Sequence, residues 1–309
     1  MGNEENLKSD LLSVVDYIRW AVSRFNEAEL SFGHGTDNAL DEAIALVAHG
    51  LHLPFDMPPA LYNARLTDTE KDDLIRLIHL RVEKRIPLPY LTHEAWFSQM
   101  AFYVDDRVLV PRSPLAELID HQFEPWLDSI YSDDKPAARI LDLCTGSGCI
   151  AIACAMAFPE SVVDAVDISE GALDVAKINI KKHHLEGRVN AIKSDLFDAL
   201  ADQRYNVIIS NPPYVDEEDM ANLPEEFRHE PRLGLVAGKS GLDFAIRILQ
   251  SAGQYLLPGG LLIVEVGNSE MALKERFPEV LFTWLEFEHG GEGVFLLTHE
   301  QLEHYKDHF

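Results

Sequence analysis

Four consecutive residues, Asn211-Pro212-Pro213-Tyr214, combine groups that could orient a planar amine or amide. The Asn211 side-chain oxygen can accept one hydrogen of an NH₂ group. Proline has no N–H to offer a competing partner, so the Pro212 carbonyl stays available for the second hydrogen. Pro213 and Tyr214 present flat surfaces on which the conjugated group could lie. Such a nitrogen is a poor nucleophile, because its lone pair is delocalised into a carbonyl or ring. Two acceptors would fix it facing an electrophile and raise its electron density as it attacks. An in-line displacement at carbon then depends on positioning and electrostatics and requires no strong base. Asn211, Pro212 and Tyr214 are therefore the candidate catalytic residues for methylation of a planar nitrogen. Asn211, Pro212, Pro213 and Tyr214 are the candidate substrate contacts.

A second constellation precedes it. The apolar run Arg139–Leu143 leads into Cys144-Thr145-Gly146-Ser147-Gly148, and Cys149–Ala157 has helical composition. Glycines between a strand and a helix let a ligand approach the backbone where no Cβ intervenes. Asp167 falls at the end of the next strand-like run, where a carboxylate can accept hydrogen bonds from two ribose hydroxyls. The same spacing fits a dinucleotide fingerprint, so the loop alone indicates a nucleotide-type ligand and leaves a nicotinamide dehydrogenase open. Asp142 favours S-adenosylmethionine, because a carboxylate stabilises an ammonium or sulfonium and repels a pyrophosphate. Asp195 and Leu196 follow the third strand-like run, where Asp195 could meet an adenine amine and Leu196 and Phe197 could cover the ring or simply pack in the core. The candidate cofactor contacts are thus Asp142, Gly146, Gly148, Asp167, Asp195, Leu196 and Asn211.

These loops need a scaffold. Arg139–Leu143, Val162–Val166, Val189–Lys193, Val207–Ser210 and Leu261–Val266 are short and apolar, as strands buried on both faces should be. The stretches between the first four have helix-forming composition, including Gly171–Lys182, so the class is α/β with a parallel sheet. Leu281–Phe287 and Val294–Thr298 are joined too closely for a crossover and should form an antiparallel hairpin at one edge. The pattern implies the seven-stranded, Rossmann-like methyltransferase sheet. Upstream, Leu11, Val14, Val15, Ile18 and Val22, then Ala43, Ile44, Leu46 and Val47, then Leu74, Leu77, Ile78 and Val82 recur at helical spacing. Between Trp96 and Val110 strand-prone residues flank Asp105-Asp106, a candidate turn. The expected organisation is a helical substrate-recognition domain over residues 1–92, a β-hairpin linker over 93–112 and a catalytic domain over 113–309.

Charge narrows the partners. With 26 basic against 52 acidic side chains the formal net charge is −26, which suits neither duplex nor single-stranded nucleic acid and would attract a basic protein. No direct nucleic-acid contact is expected. Cys144, Cys149 and Cys154 match neither a CxxC motif nor a zinc knuckle and read as small core residues. The thirteen histidines show no metal-binding spacing, His183-His184 reads as a solvated helix end, and no metal is expected. The N-terminus lacks signal-peptide character, Asn6 speaks against myristoylation and no apolar run suits a membrane, so a cytoplasmic protein is expected.

Asp142–Gly148, Asp167 and Asn211–Tyr214, together with the helical N-terminal region and the hairpin, resemble the HemK-type protein-glutamine N5-methyltransferases over nearly the whole chain. The resemblance implies S-adenosylmethionine as cofactor and a glutamine side-chain amide as acceptor. The Asn-Pro-Pro-Tyr motif is shared with adenine-N6 and cytosine-N4 methyltransferases and does not choose the substrate. Members acting on peptide release factors usually carry PRPETE after the hairpin, whereas here the run is Val110-Pro111-Arg112-Ser113-Pro114-Leu115-Ala116-Glu117. That departure, with Tyr90-Leu91-Thr92, Glu94–Phe97, Phe102–Asp105, His229–Arg232 and Ala237–Leu242, is similar to the branch that methylates large-subunit ribosomal protein L-three, a basic partner. The acidic run Asp216, Glu217, Glu218, Asp219, Glu225, Glu226 and Glu230 is expected to cover the site and contact basic residues around the target glutamine.

Overall fold

The structure, a computed structural model, describes residues 2–127 and 138–309, with side chains from residue 6 onward. The chain divides into two compact units. One takes in residues up to Glu94 together with Pro224–His229, and the other comprises Ala95–Leu223 and Glu230–Phe309.

The first unit is helical: α1 (Gly2–Asp10), α2 (Val14–Glu27), α3 (Ala39–Gly50), α4 (Asp68–Glu83) and α5 (Leu88–Thr92). Each of the three long helices starts at a side-chain signal. Ser13 with Asp16 and Thr67 with Glu70 form capping boxes, and Asn38 accepts from the Leu40 and Asp41 amides. The buried stripe of α2 is Val14, Tyr17, Ile18, Ala21 and Phe25, so the helix faces the core a little further round than the aliphatic positions alone indicate, and Val15 is exposed. Leu46 and Val47 of α3 and Leu74 and Ile78 of α4 complete that core. Charge is also buried here. Arg81 Nε donates to Glu42 at 2.5 Å, and Glu226 accepts from Arg85 at 3.0 Å and from the Ser31 amide at 3.0 Å.

The second unit opens with a hairpin of β1 (Ala95–Phe97) and β2 (Met100–Phe102). Its turn is Ser98-Gln99, both with positive φ (46° and 58°), the pair of left-handed residues that a tight two-residue hairpin needs. A turn is present at Asp105-Asp106 as expected, but it is not the turn of the hairpin. Asp105 instead binds the Arg107 amide and guanidinium, folding residues 105–108 into a local turn that does not return along β2. His183 is corrected too: its ring Nε2 donates to the Ala101 carbonyl (3.0 Å) and the ring packs on Phe102, and only His184 is exposed.

After α6 (Leu115–Asp120), a seven-stranded sheet follows: β3 (Arg139–Leu143), β4 (Val162–Asp167), β5 (Val189–Lys193), β6 (Tyr205–Ser210), β7 (Leu256–Glu265), β8 (Thr283–Trp284) and β9 (Val294–Thr298). Its order is β5-β4-β3-β6-β7-β9-β8, with β3 to β7 parallel and β9 antiparallel to both its neighbours. The α/β class, the seven strands and the edge hairpin thus match the sequence reading. Alternation along the strands sends Ile140, Val163, Ile209 and Ile263 to one face, packed with α6, α7 (Cys149–Ala157) and α8 (Glu170–Lys182). Leu141, Leu143, Ile208 and Val264 face the other way, against α10 (Asp243–Ala252), α11 (Glu270–Arg276) and α12 (His299–Tyr305). A short helix, α9 (Glu217–Asn222), follows β6.

One connection departs from expectation. No helix joins β5 to β6; residues 194–204 form successive turns held by the Ala199 amide on Ser194 Oγ and the Asp198 amide on the Asp195 carbonyl. Leu196 and Asp202 adopt positive φ (48° and 65°), a conformation that an α-helix of L-residues cannot continue through.

Candidate active site

Strand register builds the site. Leu143 lies opposite Val166 and Ser210, and Ser210 opposite Val264. The residues one step beyond, Cys144, Asp167, Asn211 and Glu265, therefore line the carboxyl edge of four adjacent parallel strands, about 5 Å from one strand to the next. The order reverses between β3 and β6, and the crevice at such a reversal is where open α/β sheets take ligands.

On the β3 side the glycine loop is tied down by its own carboxylates. The Gly146 amide donates to Asp167 at 2.9 Å, and the Ser169 amide donates to the other Asp167 oxygen at 2.8 Å. Burial raises the Asp167 pKa, and these two amides only partly offset it. Asp142 is fully buried; one oxygen accepts from Thr145 Oγ1 (2.5 Å) and the Ala151 amide (3.1 Å), serving one of the free N–H groups at the start of α7. Its other oxygen is buried without a hydrogen-bond partner, and burial pushes the carboxyl up to about 7 despite the Thr145 and Ala151 bonds. Gly148, at φ +80°, allows α7 to press on Ala176, where a Cβ would stand 3.2 Å away. Gly146 (φ +55°) faces open space, with nothing within 4 Å of where its Cβ would be. An open cradle at Gly146, a carboxylate oxygen lacking a partner and a carboxylate with lone pairs left after two amides fit a cationic nucleoside.

Asp195 and Leu196 stand differently. Arg247 holds Asp195 at 2.9 Å, so an adenine amine would share the carboxylate with a guanidinium. Leu196 is buried in the core with Leu143 and Val166. The cysteines are core residues, two buried and Cys144 half-buried, and burial raises all three thiols, Cys149 to about 12. Among the described residues no cluster of histidine, cysteine or acidic side chains could hold a metal, and no helix is long and apolar enough to cross a membrane.

On the β6 side, Pro212 and Pro213 are buried while Asn211 and Tyr214 are half-buried. Among the described residues no hydrogen bond to the Asn211 side chain is seen, which leaves its amide for an incoming group. Tyr214 is held by Glu265, Gly267 and Ser269, which the sequence reading did not name, and by Gly241, which it quoted only within Ala237–Leu242. Its hydroxyl donates to Glu265 at 3.1 Å, and its carbonyl accepts from Ser269 Oγ at 3.1 Å. A Cβ on Gly267 would stand 2.6 Å from the Tyr214 ring, and one on Gly241 would stand 2.3 Å from the Tyr214 carbonyl oxygen. Glu265 also accepts from Ser113 at 2.5 Å. Beside it Arg112 makes a two-pronged pair with Glu230, both bonds 2.6 Å. Asn179 on α8 was missed too; its amide donates to the Ser147 carbonyl (2.9 Å) and the Tyr103 carbonyl (3.0 Å), bracing the glycine loop. The signals that could have found these residues were the polar side chains inside apolar runs: Asn179 on a helix and Glu265 closing a buried strand.

The acidic run is not one open surface. Glu226 and Glu230 are buried in ion pairs, Asp216 caps α9 through the Asp219 amide, and the Asp219 carboxylate accepts from Asn268. Glu217, Glu218 and Glu225 are the exposed carboxylates of the run.

Residues 127–238 match the family described as the methyltransferase small domain. A ribosomal protein uL3 glutamine methyltransferase of Francisella tularensis is 47% identical over 99% of this chain and 96% of its own. One from Neisseria gonorrhoeae is 48% identical over 95% and 96%. Among solved structures, the hMettl16 catalytic domain, determined in complex with an RNA hairpin of the MAT2A 3′UTR, superposes with a TM-score of 0.50 at 19% identity, covering 77% of this chain and 84% of that one. At that identity the likeness concerns the fold.

Proposed function

The chain belongs to the ribosomal protein uL3 glutamine methyltransferases, and on that premise we propose that it transfers a methyl group from S-adenosylmethionine to the side-chain amide nitrogen of a glutamine in uL3, in the cytoplasm. The observation that carries the reading is the row along the sheet edge, which sets the Asn211–Tyr214 loop one strand from the glycine loop and its paired carboxylates. Asp142, Gly146, Gly148 and Asp167 would hold the cofactor, with Asp195 and Leu196 towards its adenine. The cofactor supplies an electrophilic methyl group on a sulfonium. The chain supplies orientation: Asn211 and the Pro212 carbonyl accept the two amide hydrogens, and Pro213 and Tyr214 bound the plane of the amide. A net charge of −26 favours a basic protein over a nucleic acid, and the exposed Glu217 and Glu218 would meet basic side chains of such a partner.

The test is methylation of purified, unmodified uL3 by labelled S-adenosylmethionine, with a peptide release factor and ribosomal RNA as alternative acceptors. Label should enter one glutamine of uL3. Asn211→Ala should lower turnover by about 100-fold or more even with the cofactor saturating. Label in RNA or the release factor, and none in uL3, would overturn the reading.

A further inference from the structure

We propose that Glu265 is a positioning residue for methyl transfer, holding the Tyr214 hydroxyl and coupling it through Ser113 to the segment that precedes α6. The proposal rests on the function above. Glu265 closes β7, is buried, and spends both oxygens on hydroxyl donors: Tyr214 at 3.1 Å on one and Ser113 at 2.5 Å on the other. A buried carboxylate satisfied in this way has little freedom to turn, so it fixes the phenol at its hydroxyl while Gly267 lies close against the ring. Tyr214 bounds the plane in which the amide must lie, and a shift of its ring would move the nitrogen out of line with the methyl group.

Protonation should matter. Burial pushes the Glu265 carboxyl up to about 7, offset in part by the Ser113 and Tyr214 bonds and by Arg112. The charged and titratable groups that act on this pair are Arg112, which favours the carboxylate, and Glu230, which with Glu265 and burial itself raises the Tyr214 pKa. Ionised Glu265 accepts from both hydroxyls. Once protonated it must donate from one oxygen, so one of the two hydroxyls has to turn from donor to acceptor and the arrangement that holds the phenol changes. Turnover should therefore fall as the pH drops through about 7.

Single-turnover methylation of uL3, with cofactor and uL3 saturating, tests this across pH. Saturating cofactor keeps its own site filled, so the limb reports the methyl-transfer step. Glu265→Gln should be about 10- to 100-fold slower at alkaline pH, should bind S-adenosylmethionine as the native protein does, and should lose the acidic limb. Ser113→Ala removes a donor that favours the carboxylate, and should move the limb to higher pH while keeping most of the alkaline rate. The Ser113→Ala shift decides the matter if Glu265→Gln does not fold. A Glu265→Gln protein with the native rate and the native limb, or a Ser113→Ala protein whose limb stays in place, would overturn the proposal. A native protein that never labels uL3 would instead refute the functional reading on which it rests.

Discussion

Asp142 illustrates what single residues in this site must reconcile. Its carboxyl keeps a proton up to about pH 7 because it is buried, yet a cationic ligand requires the ionised form. Below that midpoint, binding must displace the proton, so affinity for S-adenosylmethionine should weaken as the pH falls, approaching about tenfold per pH unit. Above it, affinity should level off. Calorimetric titration from about pH 8 down to about pH 5.5 checks the sign, and Asp142→Asn should bind weakly with a flat profile. An affinity that is constant in the native protein would remove Asp142 from the cation's environment. At this scale the sequence is most readable where a residue's role follows from chain neighbours. Gly146, Gly148 and Asn211–Tyr214 sit in contiguous motifs, and Asp142 and Asp167 sit at strand ends fixed by apolar runs. Glu265, Asn179 and Ser113 are invisible to that logic because their partners lie 51, 76 and 152 positions away.

Elements set the precision with which those residues meet. Parallel pairing in one register places Cys144, Asp167, Asn211 and Glu265 in a row, and Gly241 and Gly267 then let the backbone press closely on Tyr214. Gly267→Ala tests the second point. The added methyl would overlap the phenol, and at φ +49° an L-residue is itself disfavoured by about 1–2 kcal/mol. The expected outcome is a folded protein with a slightly lowered melting temperature and turnover reduced about 10- to 100-fold, because the ring must move. Turnover equal to the native protein would show that the ring's position is not critical. The strands were legible because each is a short apolar run between polar breaks. The β5–β6 connection was not, since its composition suits a helix while the left-handed Leu196 and Asp202 and the Ser194 side chain commit it to turns. The hairpin turn was misplaced for a related reason: Ser98-Gln99 has none of the glycine or asparagine usual at left-handed positions, whereas Asp105-Asp106 looks like a turn and makes a different one.

At the scale of the whole molecule, the acidity seen in the composition divides into two kinds of carboxylate. Some, such as Glu217 and Glu218, are exposed; others are internal, and Glu226 is the clearest of these. Burial works against its charge, but the Ser31 amide, Arg85 and Arg81 outweigh it and hold the carboxyl below its ordinary value. The folded-state pKa is depressed, so the contribution to stability is present above the ordinary carboxylate range and lost as the pH falls through the lowered value. Glu226→Gln should destabilise the helical unit by about 3 kcal/mol, because Arg81 is buried beside it, and urea denaturation at neutral pH would measure the loss. A stability within about 0.5 kcal/mol of the native protein would mean that Glu42 alone neutralises the pair. Charge counting could reveal the excess of acid but could not sort it, since burial of a carboxylate depends on which arginines the fold brings beside it.

The assignment of Pro224–His229 to the helical unit has a consequence for how this protein can be taken apart. The chain leaves and re-enters that unit, so no single cut separates the two. A fragment ending at Glu94 would strand Arg81 and Arg85 without the carboxylate of Glu226, and a fragment beginning at Ala95 would carry that carboxylate with no counter-ion. A chimera that exchanges the helical unit with that of a relative must therefore graft two segments together, the N-terminal helices and the six residues Pro224–His229.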